Sequence, residues 1–384
     1  MYLTQLSLYN FKNYATQSID FSPTMNCLTG LNGMGKTNVL DAIYYLCMCK
    51  SHFSTNDGLL VLQGEDFFRL EGQFQLKNQA KVVAKIVPRK RKEFEFNGAA
   101  YDKLSEHIGK IPVVMISPDE TALATEGSEE RRRLMDNSLA QLDQVYLNQL
   151  MIYNKILEQR NALLKQFSQQ NNFNESLLAV YDQQLLAPAE IIFSLRKIFI
   201  QHLTPIFQDY YKIISGDREH PDCQYVSQLL DADFSELLKK SRDKDRILAR
   251  SNVGIHKDEL SFSFDGNPLK KFASQGQLKS FVLALKLAQY EVIKQRKGTK
   301  PILLLDDIFD RLDAERVNQL LALLAKKDFG QIFITDTQGD RMAQVIAKHF
   351  DDFHHFEVEN ATVKVAAILV ANNQIDDGQA PIVA

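Results

Sequence analysis

The eight residues Gly30-Leu31-Asn32-Gly33-Met34-Gly35-Lys36-Thr37 constrain this chain more than any others, because they fit G-x-x-x-x-G-K-[ST]. Glycine lets successive backbone N–H groups turn inward around phosphate oxygens, where side chains would obstruct them. In such a loop Lys36 carries positive charge to the β- and γ-phosphates of ATP, and the Thr37 hydroxyl is a ligand for Mg2+. The flanks agree. Cys27 to Thr29 read as the end of a strand, and a helical pattern from about Lys36 to Cys49 aims its positive end at the same place.

A second feature completes the first. Ile302 to Leu305 read as a buried parallel strand that ends in Asp306 and Asp307. Asp306 then lies at the C-terminal edge of the sheet and holds Mg2+ directly or through water, while Asp307 is placed to polarise an attacking water. Ser274-Gln275-Gly276-Gln277 opens a helix that runs to about Lys294, with Ser274 as its N-cap. Alone, that is an ordinary helix start. Its place roughly 25 residues before the acidic strand matches the order found in ABC-type ATPases, where such a motif binds the γ-phosphate of ATP held by a second subunit. That order implies a homodimer with ATP at its interface. Asp310-Arg311-Leu312-Asp313 stands where these ATPases have a loop that crosses to the partner, and Thr335, in Thr335-Asp336-Thr337, stands in the place of the residue that senses the γ-phosphate.

About 240 residues separate Thr37 from Ser274. A transporter ATPase has its signature much closer to its phosphate loop, so that class is disfavoured. From about Ser128 to Arg250 the texture is helical: Leu139, Leu142, Tyr146, Leu150, Tyr153, Leu157, Leu164 and Phe167 recur at helical spacing. A second helical stretch, about Glu175 to Ile214, is expected to break at Pro188 and Pro205. Heptads are not sustained far enough for a coiled-coil arm. Before this region, residues 2–9, 18–21, 67–98 and 111–116 read as strands. After it, strands are expected at 260–264, 301–305 and 331–335, with a helix from about Ala314 to Lys326. The expected fold is an α/β ATPase lobe (1–117 and 251–371) split by a helical insertion (118–250), with a flexible tail at 372–384.

With 384 residues, two lobes or one domain with a large insertion are expected. No apolar run is long enough to span a bilayer, and Leu3, Leu6, Leu8 and Phe11 read as a strand instead of a targeting signal, so a cytoplasmic protein is expected. Four cysteines make no disulfide framework, and Cys47 and Cys49 lack the spacing of a zinc site; free thiols are expected.

Further motifs give the chain a family likeness. Leu6-x-Leu8-x-x-Phe11-Lys12-Asn13-Tyr14, Lys50-Ser51-His52, Arg131-Arg132-Arg133 ahead of Asp136, Gln159-Arg160-Asn161-x-Leu163-Leu164-Lys165 and Gly254-Ile255-His256-Lys257-Asp258-Glu259 resemble segments of the RecF family of bacterial DNA-repair ATPases. The likeness runs from residue 1 to about 365. Lys12 replaces the family's Arg, Phe53 replaces an Arg, and Ile255 replaces a Pro. The resemblance implies nucleotide contacts at Lys12 and Asn13 and an ATP-dependent dimer on gapped or single-strand/double-strand junction DNA. It also implies RecR and, through it, RecO as partners that help load RecA recombinase. Another SMC-like repair ATPase, a nuclease of the overcoming-lysogeny type, or a nucleotide-gated scaffold with incidental DNA contact are the alternatives.

The DNA surface is not legible. The net charge is −3. Lys90-Arg91-Lys92, Arg131 to Arg133 and the run Lys239, Lys240, Arg242, Lys244, Arg246 are the basic clusters, each open to a reading as a solvated face; the arginine triple is also open to ion pairing within its lobe or to sensing nucleotide. Independently of the family, Asp307 is one methylene shorter than the Glu usual there. Its reach falls by roughly 1 Å, a misplacement able to cost about a hundredfold in rate, so slow hydrolysis is expected.

Overall fold

The computed structural model describes residues 1–170, 172–216, 219–309, 314–326, 328–337 and 339–369. The N-terminal segment forms β1 (Tyr2–Phe11), β2 (Tyr14–Asp20), β3 (Met25–Thr29), α1 (Lys36–Met48), β4 (Phe68–Gln75), β5 (Gln79–Ile86), β6 (Glu93–Phe96), β7 (Ala99–Ala100) and β8 (Val113–Ile116). The middle forms α2 (Ala122–Thr125), α3 (Ser128–Leu142), α4 (Gln144–Gln170), α5 (Glu175–Ser215), β9 (Pro221–Val226), α6 (Phe234–Leu248), β10 (Glu259–Phe264), β11 (Asn267–Pro268) and α7 (Leu269–Phe272). Then come α8 (Gln275–Lys297), β12 (Ile302–Leu305), α9 (Ala314–Lys326), β13 (Ile332–Asp336), α10 (Gly339–Ile346), β14 (Phe353–Glu359) and β15 (Thr362–Leu369). Asp310 to Asp313 and the tail from 370 lie outside the described residues.

These elements make two compact units, one from residues 1–120 and 289 onward, the other from 121–288. The first holds two six-stranded sheets. One has the order β2-β1-β4-β5-β6-β7 with antiparallel neighbours; the other has the order β15-β14-β3-β13-β12-β8. In the second sheet β14, β3, β13, β12 and β8 are all parallel, so their C-terminal ends share one edge. Every residue of β3, β8, β12 and β13 is buried, as expected of strands covered on both faces. Strand β4 instead alternates buried and outward residues, because only one of its faces meets the core. That core includes Leu6, Leu8, Phe11, Leu40, Ile43, Leu46, Phe68, Leu70, Val82 and Phe94. Gln331 ties the sheets together: its Oε1 accepts from Leu3 N at 2.7 Å, and its Nε2 donates to Leu3 O (2.8 Å) and Ser22 O (2.7 Å).

In the second unit the structure corrects three readings. Helix α5 continues through Pro188 and Pro205 over 41 residues instead of breaking at them. Each proline frees the carbonyl four residues earlier, and those belong to Gln184 and Gln201, both exposed residues. Strand β9, not anticipated, pairs antiparallel with β10 from Pro221–Phe264 to Val226–Glu259. The unit also runs to Ala288, not to about 250, because β10 belongs with β9 and because Phe281 of α8 packs against Phe207 (4.7 Å), Phe262 (5.0 Å) and Phe264 (5.7 Å).

Most of the family-like residues of this unit build its interior. Buried Arg196 donates to Asp136 (2.7 Å), Asp258 (2.7 Å) and the Tyr146 hydroxyl (3.1 Å). Buried Arg160 donates to Asp182 (2.8 Å), Asp245 (2.7 Å) and Ser251 Oγ (2.7 Å), while Asn161 Oδ1 accepts from Ser251 N and Oγ, both at 2.8 Å. Gly254 has φ +122°, and a Cβ there would lie 2.6 Å from the Tyr153 hydroxyl. That hydroxyl also meets His256 Nδ1 at 2.8 Å. Burial lowers the His256 pKa to about 4, so the ring is neutral near pH 7.

Candidate nucleotide-binding site

The phosphate loop leaves β3 and enters α1 at the edge where the parallel strands end. Gly30 (φ +149°), Gly33 (φ +81°) and Gly35 (φ +117°) take backbone conformations that side chains rarely adopt. Two of them are also sterically pinned. A Cβ on Gly30 would lie 2.2 Å from Val358 O, and one on Gly35 would lie 2.7 Å from the Tyr14 hydroxyl. Leu31, Asn32 and Gly33 face solvent, so the loop keeps an open side. Lys36 Nζ donates to Gly30 O (2.6 Å) and Leu31 O (3.0 Å). Its pKa is lowered chiefly by burial, opposed by the charges of Asp307, Asp306 and Asp336. Phosphate oxygens would relieve that desolvation, which is what a phosphate cradle requires of its lysine.

Asp306, Asp307, Thr37 and Thr335 meet at one point. The Thr37 hydroxyl donates to Asp306 Oδ1 (2.9 Å) and Oδ2 (3.0 Å), and the Thr335 hydroxyl donates to Asp306 Oδ1 (2.8 Å). Thr335 Oγ1 in turn accepts the Asp307 N–H at 2.8 Å. Asp307 has φ +46°, a left-handed backbone costly for any residue but Gly, Asn or Asp. Burial raises the Asp306 pKa, and the two threonine bonds work against that rise. A hydroxyl and a carboxylate at this spot form the hard-oxygen set that Mg2+ prefers. The residues present therefore fit both a nucleotide phosphate and its Mg2+.

The segment 12–14 braces the loop from behind. Asn13 Nδ2 donates to Met34 O (3.3 Å), Asn13 Oδ1 accepts from Asn38 Nδ2 (2.7 Å), and the Tyr14 hydroxyl donates to Gly35 O (3.2 Å). Lys12 is engaged elsewhere: its ammonium pairs with fully buried Asp41 at 2.7 Å, and Asp41 also accepts from Ser51 Oγ (2.7 Å) and His52 N (2.8 Å). Sequence reasoning missed Asp41, Asn38 and, above all, the β14–β15 hairpin. Val358 O closes on Gly30, the Ala361 N–H donates to Met34 O at 3.1 Å, and the Asn360 N–H meets Met34 Sδ at 3.4 Å. Both turn residues have positive φ (45° and 57°), as a two-residue hairpin turn demands.

Ser274, Gln275, Gly276 and Gln277 lie in the second unit. Ser274 and Gln277 form a reciprocal capping box: Ser274 N donates to Gln277 Oε1 (2.7 Å) and Gln277 N donates to Ser274 Oγ (3.3 Å). Gln277 Nε2 also donates to Glu219 Oε1 (2.8 Å). Ser274 and Gln275 are exposed. Of the arginine triple, Arg131 grips both oxygens of Glu259 (2.5 and 2.8 Å), Arg132 donates to Asp258 O (2.9 Å), and Arg133 pairs with Glu130 (3.0 Å) on its own helix. These are bonds within one unit. Lys92 likewise sits on Asp57 (3.0 Å), and Arg91 donates to Asp102 O (2.6 Å). All four cysteines are buried and unpaired. No helix among the described residues is long and apolar enough to cross a membrane.

A glycine-walled phosphate loop at the end of parallel strands, with a threonine-bracketed acid beside it, defines the class. The family model described as RecF/RecN/SMC N terminal domain matches residues 2–354. The head of an Smc protein bound to the C-terminal winged-helix domain of ScpA shares the fold, with a TM-score of 0.54 at 15% identity over 97% of this chain and 98% of that one. The molecule is an ATPase head of the ABC/SMC type. Finer comparison narrows this. The DNA replication and repair protein RecF of Flavobacterium johnsoniae is 43% identical over 93% of this chain and 100% of its own length. That of Cytophaga hutchinsonii is 42% identical over 95% and 97%. The recombination mediator protein RecF in its ATP complex superposes with a TM-score of 0.84 at 27% identity, covering 95% of this chain and 97% of that one. This chain belongs to the RecF family of DNA replication and repair proteins.

Proposed function

We propose that the chain is an ATP-operated switch of recombinational repair and replication, a cytoplasmic protein that dimerises on gapped or junction DNA when both copies hold ATP. The observation that carries this reading is the join at Asp306, where the phosphate loop (Thr37), the acidic strand (Asp306, Asp307) and the switch strand (Thr335) are hydrogen-bonded into one unit. A change at the phosphates therefore reaches all three elements together. Backbone N–H groups of Gly30 to Gly35 and the Lys36 ammonium take the phosphates, and Asn13 keeps the loop in shape through Met34 O. Mg2+ held by Thr37 and Asp306 would neutralise charge on the β- and γ-phosphates. Asp307 orients the attacking water and accepts its proton. Ser274 to Gln277 of a second copy would meet the γ-phosphate, exchanging their capping bonds for phosphate contacts.

Hydrolysis is slow in this reading, because the Asp307 carboxylate reaches roughly 1 Å less far than a glutamate. It resets the dimer. RecR and, through it, RecO are the proposed partners in RecA loading; a relative's ATP-analogue complex is described as acting in the RecFOR pathway. Crosslinking to gapped duplex with and without ATP separates this from a scaffold with incidental DNA contact. ATP-dependent crosslinks support the switch, and equal crosslinking in both conditions refutes it.

A further inference from the structure

The acids near the Gly254–Glu259 segment are already matched to particular bases. Glu259 takes Arg131. Asp258 takes Arg196 Nη1 (2.7 Å) and the Tyr225 hydroxyl (2.5 Å). Asp245 takes Arg160 on one oxygen (2.7 Å) and both nitrogens of Asn252 on the other (2.9 Å each). Three cations beside them are not matched. Among the described residues no carboxylate pairs with Arg132, Arg250 or Lys257. Arg132 Nη1 reaches the Asp258 carbonyl at 2.9 Å, one residue along the chain from Lys257, and His256 Nε2 meets the Ser251 carbonyl at 3.3 Å, which brings the segments carrying Arg250 and Lys257 together. Arg250 and Lys257 are exposed. Lys257 as a whole is exposed, but its ammonium is partly desolvated, and this lowers its pKa first, followed by the charges of Arg250 and Arg132, with only Asp245 opposing. His256, neutral near pH 7, adds no charge of its own.

The other basic run of this unit looks different. On α6, Arg242 is paired with Glu175 and Asp182, Lys240 with Glu236 (3.4 Å), and Arg246 lies over the Phe173 ring at 5.5 Å. Such compensated charges hold the fold or are screened by solvent. Cations brought together without acids cost free energy in the unliganded protein, and an anion recovers it.

We infer that Arg132, Arg250 and Lys257 form a phosphate-binding contact for the DNA backbone. The contact rests on the DNA-binding reading above and gives it a location. DNA is the occupant the chemistry favours, since it offers a row of singly charged phosphates to three cations on one surface, and such contacts position a duplex without reading its sequence.

The test is the salt dependence of binding to gapped duplex by the Arg250→Gln/Lys257→Gln double variant in the full chain. Arg132 is left intact because its bond to Asp258 O also serves the fold. Counterion release contributes a slope of about 0.9 per phosphate contact, equivalent to roughly eightfold in affinity per contact at 0.1 M salt. The double variant is expected to bind about 60-fold more weakly, with a slope shallower by about 1.8. A Lys240→Gln/Arg246→Gln variant, with the same charge loss at α6 cations already engaged by Glu236 and the Phe173 ring, serves as control. Its slope is expected to match the wild type, and both variants are expected to keep wild-type ATP affinity. A double variant indistinguishable from the control overturns the contact while leaving DNA binding intact. A wild type without salt-dependent DNA affinity overturns the DNA reading itself.

Discussion

Replacing Thr335 with Val keeps the side-chain shape and removes one hydroxyl that serves two neighbours. Thr335 is fully buried, donates to Asp306 Oδ1 at 2.8 Å and accepts the Asp307 N–H at 2.8 Å. A hydrogen bond to a charged acceptor contributes about 1.5–3 kcal/mol, and loss of the acceptor for the Asp307 N–H adds about 1 kcal/mol, so the variant is expected to lose about 3 kcal/mol. The loss depends on pH. Asp306 titrates above its ordinary value because it is buried, so the folded state holds that proton more tightly than the unfolded chain does. Its carboxylate therefore lowers stability as pH rises from the unfolded value near 4 through the higher folded value, and the penalty is complete above the latter. Without the Thr335 bond the folded value rises further, so the deficit of the variant grows with pH. Urea unfolding of wild type and Thr335→Val at pH 5 and pH 8 measures it. A deficit below about 1 kcal/mol, or one no larger at pH 8 than at pH 5, would refute the role given to this hydroxyl.

Three further substitutions probe other parts of the structure. Asp307→Asn is expected to lower ATP turnover about a hundredfold or more while leaving nucleotide affinity within a fewfold, read by steady-state hydrolysis beside equilibrium binding. Gly30→Ala brings a methyl to 2.2 Å from Val358 O, against backbone that cannot swing aside; the hairpin must separate from the loop, and ATP affinity should fall by at least about tenfold, or about 1.4 kcal/mol. Arg196→Met strands buried Asp258 in the second unit and leaves half-buried Asp136 without its partner, and is expected to cost about 3–5 kcal/mol of stability. Asp258 is already raised by burial, and Arg196 opposes that rise. By the same sign argument the cost should be greater at pH 8 than at pH 5, which denaturant unfolding at the two values checks.

Local structure around the candidate site was legible wherever its signal sits in contiguous residues. Gly30 to Thr37, the strand ending in Asp306 and Asp307, and the helix opened by Ser274 each carry their signal locally, and α9 covers the stretch its pattern marks. Contacts between distant residues were not legible. The partner of Arg131 is Glu259, 128 positions away, and that of Asn13 is the backbone of the phosphate loop. The β14–β15 hairpin was hidden by its bulge, since the register shift between His355 and Phe356 breaks the two-residue alternation that betrays a strand. Asn360-Ala361 lacks the glycine that usually marks such a turn. Strand β9 was obscured by an opening proline and only a few apolar residues. The prolines of α5 were misleading for the opposite reason: a local rule was outweighed by the burial of Leu185, Ala189, Ile192, Phe199, Leu203 and Phe207 along one stripe.

ATP-controlled association is tested most directly by sedimentation velocity of the wild type and Lys36→Arg, each with and without ATP and gapped duplex. Arginine keeps the charge but not the compact ammonium that sits between Gly30 O and Leu31 O. The expected result is a wild type that shifts from monomer to dimer with ATP and binds DNA more tightly as it does so, with both changes weakened in Lys36→Arg. A monomer that binds DNA equally well with and without ATP would contradict the switch.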